Sequence, residues 1–476
     1  MGKTRIVILG GGPAGLGAAY QLARRGDVEA VLLEQSDRLG GNAGSFELAG
    51  IRCDYGSHRL HPASDPRVLD DIRQLLGGDL VKRPRHGRIR LQGRWIHFPL
   101  KATDLFGKLP PAFGVGVATD IVRKLIPSRN GSASKESTFS SVLEKGLGRT
   151  ICRDFYFPYA IKLWGLPPDD LSAKQAERRV SNNSLGKMIG KVFSSISRGN
   201  GVDKSIFYYP RKGFGQISEA YAAAAEAAGA RIIRKARVER VDCSQRDRIV
   251  VGYSLDGVTA TVEADYVWST IPITILARLT SPQPPEDVLR AASTLDYRAM
   301  LLIYLVLDQE QFTEYDAHYF PETQIPISRL SEPKNYAANG EPKGKTVLCA
   351  ELPCAVDDKF WKMTDEELGA VVRQSLSDAG IPVRGPVSQV VTRRLRQAYP
   401  IYRRGYETAF DGLDAWVGQM DRILTFGRQG LFAHDNTHHA LFMAYAAAEC
   451  VESNGGFDQQ KWEDYRRVFE THVVED

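Results

Sequence analysis

One stretch constrains this chain more than any other: TRIVILGGGPAGLGAAYQLARRG, residues 4–26. Residues 4–9 are a short run rich in β-branched side chains, the pattern of a parallel strand buried on both faces. Gly10, Gly12 and Gly15 follow at once in the spacing G-x-G-x-x-G, with Pro13 and Ala14 between the last two. Gly10 permits the tight turn from strand to helix, Gly12 lets the backbone approach a pyrophosphate, and Gly15 lets the helix lie close to the strand. The following helix, Leu16 to Arg25, points its N-terminal N–H groups at the phosphates. A second strand at residues 30–33 ends in Glu34, with Gln35 beside it, where a carboxylate can accept hydrogen bonds from ribose hydroxyls. Glycine spacing alone also arises in ordinary turns. Strand, helix, second strand and terminal acid at the required distances specify a unit that binds the ADP half of a dinucleotide.

The remaining length matters because 476 residues suffice for two or three domains. Hydrophobic residues at 43% and charged residues at 25% are ordinary for a globular protein. The net charge of +5 is spread along the chain rather than clustered, which argues against a nucleic-acid partner. It suits anionic substrates and a plain solvated surface equally. Six cysteines (Cys53, Cys152, Cys243, Cys349, Cys354, Cys450) lack metal-ligand spacing and read as reduced thiols of a cytoplasmic protein. There is no run of about 18 apolar residues and no signal-peptide pattern, so stable membrane insertion is not expected. A homodimer is compatible with the sequence and not required by it.

Further strands complete the nucleotide-binding sheet from distant parts of the chain. Residues 267–270 and 425–427 are short strand ends of the right character, and residues 220–228 form an alanine-rich helix. The segment ARIIRKARVERVDC is expected to form a strand pair in which Val238 sits near the adenine edge. Residues 300–307 and 345–352 are strand-like runs of a different sheet, whereas 101–205 is mostly helical around the polar loop at 128–137. The fold expected is α/β: a split Rossmann-type domain with an inserted helical domain and a β-sheet substrate domain. Its parts are 1–100, 206–280 and 421–476 for the nucleotide-binding domain, 101–205 for the helices and 281–420 for the substrate sheet.

After Glu34 the chain reads EQSDRLGGNAGSF, a second glycine-rich turn with Arg38, Gly41 and Asn42, and then DYGSHRLHP with Tyr55, Gly56, Ser57, His58 and His61. This resembles the UDP-galactopyranose mutase and amine oxidase branch of flavoproteins. The resemblance implies that the cofactor is FAD and that a histidine of the second segment lies against the flavin, with His61 as the catalytic candidate. On spacing alone, packing or capping histidines are the plainer reading. Next, DFYFPYAIKLWGLPPDDLSAKQAERRV places Tyr159, Lys162, Trp164 and Gly165 on the mutase pattern, with Arg178 where the family contacts substrate phosphate. An aromatic helical core with a surface arginine is the competing reading. FYYPRKGFGQISEAY is similar to a Pro-x-x-Gly-Tyr stretch, with Phe214 in place of the tyrosine. In IPISRLSEPKNY, Arg329 matches an arginine used against the substrate pyrophosphate, and Arg178 and Arg329 together would neutralise a diphosphate.

Towards the C-terminus, QAYPIYRRGY offers Tyr399 as a pocket hydroxyl, and FGRQGLFAHDNTHHALFMAYAAAE matches Gly427, Arg428 and Gly430 of the flavin-contacting region. His434 and Asn436 stand where the mutases carry tyrosine and aspartate, and Asn436 can still hydrogen-bond a ribityl chain. His434, His438 and His439 could ligate a metal, but His438 and His439 are adjacent and diverge, so no metal is expected. The resemblance is weakest at 101–150 and 280–320. It implies a redox-neutral pyranose–furanose interconversion of a nucleotide-linked hexose through a flavin N5–sugar adduct, with the flavin reduced. The alternative is an FAD-dependent oxidoreductase (an amine oxidase, a porphyrinogen oxidase-like enzyme or a desaturase) with an apolar channel.

Overall fold

The structure, a computed structural model, describes residues 3–98, 104, 107–125, 137–179, 206–337 and 340–474. Residues 128–136 of the expected polar loop lie outside them. Strand Thr4–Leu9 is central in a five-stranded parallel sheet ordered Ile423–Thr425, Tyr266–Ser269, Thr4–Leu9, Val28–Leu33, Arg231–Ile233. Distant parts of the chain therefore meet in one sheet, the split Rossmann arrangement expected. Register places Ile6 between Tyr266 and Ala30. Because side chains alternate along a strand, Ile6 and Ile8 face one core and Val7 and Leu9 the other. The first core holds helix Pro13–Arg25 and helix Thr437–Glu449, which meet where a Cβ on Gly17 would come within 2.9 Å of Leu441 Cδ2.

The expected strand pair at residues 230–243 is divided between two sheets. Arg231–Ile233 forms the edge of the parallel sheet, while Ala236–Asp242 joins a four-stranded sheet with Ile249–Leu255, Val258–Ala264 and Thr280–Ser281. Lys235, at φ 57°, makes the turn that separates them. Local alternation could not reveal this, because both strands carry the same pattern.

A seven-stranded sheet has the order Val387–Pro400, Tyr297–Leu307, Thr346–Cys354, Arg329–Ser331, Ala317–Tyr319, Gly87–Leu91, Arg94–Phe98. Within strand Tyr297–Leu307, residues 299–307 are an unbroken apolar run because both faces are covered there. Leu301, Ile303 and Leu305 pack on Leu368, Val372 and Leu376 of helix Asp365–Asp378, and Met300, Leu302 and Tyr304 pack over Cys53 and Tyr55. Each such buried side chain contributes about 1.5–3 kcal/mol. The register sets Tyr319 opposite Arg329 and Arg329 opposite Glu351, gathering three functional groups in one row.

The helical part contributes Pro111–Leu125, Phe139–Leu147, Phe157–Trp164 and Ala173–Arg179. Thr138 and Ser141 form a capping box at the start of the second of these, and Gly165 (φ 70°) ends the third after Trp164. A π-helical turn, Cys152–Tyr156, precedes that third helix. None of the six cysteines forms a disulfide among the described residues, and no helix among them is long and apolar enough to cross a membrane.

Candidate functional site

A cavity of about 890 Å³ lies where the glycine loop, the seven-stranded sheet and the helical part meet. Gly10, Gly12, Pro13 and Ala14 form its wall at the N-terminus of the first helix. Gly10 takes φ 101°, and a Cβ on Gly12 would meet nothing within 4 Å, so backbone N–H groups stand open to a ligand there. Gly15 does not line the cavity. A Cβ at that position would lie 2.0 Å from the Gly10 carbonyl oxygen, so its smallness is what lets the helix start against the strand. The Glu34 carboxylate accepts the Gly11 and Ser36 N–H groups at 2.7 Å each, which fixes it at the end of its strand with lone pairs to spare.

The second glycine turn follows the same principle. Arg38 donates to the Gly41 carbonyl at 2.8 Å and lies 3.7 Å over the Tyr55 ring; Gln35, Arg38, Gly41 and Asn42 line the cavity, while Tyr55 supports them from behind. His58 lines it too, with Nε2 2.9 Å from the Asn42 carbonyl and 3.1 Å from that of Tyr55, so this nitrogen donates. Burial, stronger than the nearby Asp54 charge, pushes its imidazole below the usual pKa and favours the neutral ring. Phe214 stacks on it at 5.2 Å. Under both segments lies Asp54, which accepts from Ser45 (2.6 Å), Tyr209 (2.6 Å) and the Phe214 N–H (2.8 Å). Sequence reasoning missed this buried junction, although it ties together two of the stretches that had been singled out.

In the substrate part, Arg329 makes a bidentate pair with Glu351, both contacts at 2.9 Å, and Glu351 also accepts the Ser57 N–H at 2.8 Å. Burial opposes the Arg329 charge, but Glu351 with Tyr319, Tyr399 and Tyr159 outweighs it and holds the guanidinium firmly protonated. Tyr159, Trp164 and Tyr399 line the cavity, joined by Phe155 and Tyr156 from the π-helical turn and by Tyr319. Arg428 donates to the Ala398 carbonyl at 2.9 Å and lies 4.9 Å over Tyr399. His434 stacks near Tyr399 (6.1 Å), and Asn436 caps helix Thr437–Glu449, whose first residue also faces the cavity.

Several expected residues lie elsewhere. Arg178 is buried, but its Nη1 donates to the carbonyls of Phe469 (2.8 Å) and His472 (3.1 Å), so it fastens the C-terminal segment instead of lining the cavity. His61 is buried behind the wall, its Nδ1 accepting the Ala63 N–H at 3.1 Å; its neighbour His58 takes the cavity position. Val238 faces Tyr253 within the four-stranded sheet, away from the cavity lining. Gly56 and Gly427 sit behind the wall at close approaches to Glu351 and Ala14. Lys162 spends its ammonium on the carbonyls of Phe320, Glu322 and Ile327, and burial brings its pKa down to about 7. Asp435, His439 and His472 bring ligand atoms within 4.8 Å of one another, a group not foreseen. His439 Nδ1 already faces the Asn436 N–H at 3.2 Å and His472 Nδ1 faces Asp435 at 3.2 Å, so the group holds itself together by hydrogen bonds.

Fold and site together define an FAD-binding protein. The chain belongs to the family described as flavin containing amine oxidoreductase, which it matches over residues 13–439. It is 25% identical over 292 residues to the flavin-containing monoamine oxidase AofH of Mycobacterium tuberculosis, covering 59% of this chain and 60% of the relative. It is 24% identical over 184 residues to a UDP-galactopyranose mutase of Klebsiella pneumoniae, covering 37% and 45%. The chain thus spans less than two thirds of the length of these curated relatives. Its fold is similar to that of reduced UDP-galactopyranose mutase, with a TM-score of 0.80 and 19% identity over 100% of this chain and 99% of the other. A protoporphyrinogen oxidase from Exiguobacterium sp. 255-15 follows at 0.71, with 21% identity over 94% and 98%. The residues fit the cofactor: open backbone donors at Gly12, the anchored Glu34 and the second glycine turn offer what an adenosine diphosphate moiety requires.

Proposed function

We propose that the protein is a nucleotide-sugar mutase that interconverts the pyranose and furanose forms of a nucleoside-diphosphate hexose. The observation that carries this reading is the charge of the cavity. Among the described lining residues, six arginines (38, 59, 329, 394, 396 and 428) stand against Glu34, Glu351 and Asp435, and two of those acids are bonded to N–H or guanidinium donors. Such a field attracts a diphosphate and repels the protonated amine that an amine oxidase must admit. Trp164, Tyr159 and Tyr156 add flat faces for a base and sugar.

Reduced FAD, when bound, supplies an electron-rich nitrogen able to act as a nucleophile. The chain's own residues bind, orient and stabilise. Arg329, already locked by Glu351, presents a preorganised cation to the departing diphosphate and loses little entropy on contact. The stacked Tyr399 and His434 and the neighbouring Trp164 exclude water from the sugar. Net chemistry is an isomerisation, so no external acceptor is consumed. An oxidoreductase reading draws on the apolar stretch of wall formed by Ile89, Phe98, Phe139 and Leu143. One assay separates the two: the reduced protein is incubated with UDP-, GDP- and dTDP-hexoses. Furanose product without net oxidation is expected; peroxide released from an amine or an apolar substrate, with no furanose, would overturn the proposal.

A further inference from the structure

We propose that Tyr319 donates its hydroxyl hydrogen to a phosphate oxygen of the substrate, and that Arg59 is the positioning residue that aims it. The inference rests on the nucleotide-sugar reading above and names the second anion contact beside Arg329, which the sequence had assigned to Arg178.

Arg59 Nη1 lies 3.1 Å from Tyr319 Oη, and Nη2 lies 3.1 Å from Asp316 Oδ1 and 3.2 Å from Tyr336 Oη. A guanidinium only donates, so the Tyr319 oxygen must accept, and its own hydrogen has to point to some other acceptor. Among the described residues no acceptor is placed on that hydroxyl, yet Tyr319 lines the cavity. Its strand partner is Arg329, whose guanidinium carbon is 5.9 Å from the Tyr319 ring. Two of the Arg329 nitrogens are occupied by Glu351. One fixed cation and one fixed O–H donor therefore flank the same stretch of wall.

Arg59 is itself well held. Its side chain is 8% exposed and that of its partner Asp316 5%, and Asp316 also accepts the His86 N–H at 3.2 Å. Burial opposes the Arg59 charge, but Tyr336, Tyr319 and Asp316 together outweigh it and keep it protonated. A cation bonded to a phenol oxygen withdraws electron density and makes the remaining O–H a better donor to an anion. The arrangement suits phosphate: it offers a charge and a directed hydrogen, and places no open carboxylate beside them.

The test is a titration of the FAD-loaded protein with UDP, GDP and dTDP, read by calorimetry. Tyr319→Phe, which removes only the hydroxyl, is expected to weaken the nucleotide that binds by about tenfold, the loss of one hydrogen bond to a charged group. Arg59→Lys in the wild-type background is expected to weaken it several-fold, and to have no further effect when combined with Tyr319→Phe. Equal loss from Arg59→Lys in both backgrounds would mean that Arg59 acts only through the fold, and would overturn its positioning role. Nucleotide binding that is unchanged in Tyr319→Phe sinks the Tyr319 contact and leaves the function proposal standing. A wild-type protein that binds none of the three nucleotides defeats both.

Discussion

Around Gly10 and Gly12 the cavity wall is backbone, set by the turn from one strand into one helix, whereas around Tyr319, Arg329 and Glu351 it is a row of side chains from three strands. The first kind of wall depends on the absence of side-chain atoms at a few positions. The second depends on charges that satisfy one another before any ligand arrives. A substitution should therefore fail differently in the two parts: by steric exclusion in the nucleotide part, and by an orphaned buried charge in the substrate part.

The largest effect is expected from Gly15→Val. The new Cβ would overlap the Gly10 carbonyl, which lies 2.0 Å away, and neither the strand nor the helix can retreat without opening the sheet. Purified protein should carry no flavin by its absorbance spectrum. A yellow, stoichiometrically loaded Gly15→Val protein would break the steric account of this part.

Arg329→Ala comes next. It strands Glu351, whose side chain is 4% exposed, and breaking such a pair costs about 3–5 kcal/mol of stability. Nucleotide affinity should fall by about ten- to a hundredfold, the worth of a charge-assisted contact, while flavin content stays near wild type. Concurrent loss of flavin would erase the distinction between the two parts. Arg329→Lys, which keeps the charge but not the fork, should fall between.

The same contrast explains what could be read from the sequence. The glycine loop, the first helix and the place of Glu34 at the end of its strand were legible because each follows from neighbours within thirty-odd residues and from rules of local backbone geometry. The sheet that Val238 joins was not legible, because alternation gives a strand without its sheet. Arg59 and Tyr319 were invisible for a stronger reason: they lie 260 residues apart, and only the parallel pairing of Ala317–Tyr319 with Gly87–Leu91 and its antiparallel pairing with Arg329–Ser331 builds their surroundings. Arg178 matched a family position by spacing, but the C-terminal segment that occupies its guanidinium is nearly 300 residues away in sequence.

A smaller, pH-dependent effect is expected from the substrate sheet. His318, next to Tyr319, is buried, and that burial, with the Arg88 charge, lowers its pKa from 6.5 to about 3. The unfolded chain takes up this proton near 6.5, while the folded chain does not until about 3. The unfolded state thus binds more protons across that window, and stability falls as pH drops from 6.5 towards 3. His318→Gln should flatten the slope by up to one proton in urea titrations at pH 4 to 7, without changing flavin content. His58 and His439 in the nucleotide part are lowered by burial in the same direction, so part of the slope should persist in His318→Gln.

Arg178→Ala is expected to touch the ligand least, and for that reason it is the sharpest check on how the substrate part is drawn. The lost donor leaves the Phe469 and His472 carbonyls without it, at about 1–3 kcal/mol for unsatisfied buried groups. The melting temperature should fall, and the C-terminal segment, which returns a hydrogen bond from Val474 to the Arg178 carbonyl at 2.8 Å, should exchange its amide hydrogens faster. Because Val474 lines the cavity while the Arg178 guanidinium does not, nucleotide affinity should stay within about twofold of wild type, well below the tenfold that one charge-assisted contact is worth. A tenfold or greater loss of affinity with an unchanged melting temperature would show that Arg178 leaves its carbonyls for phosphate when substrate binds. The substrate part would then be a surface that rearranges around its ligand instead of one whose charges are fixed in advance.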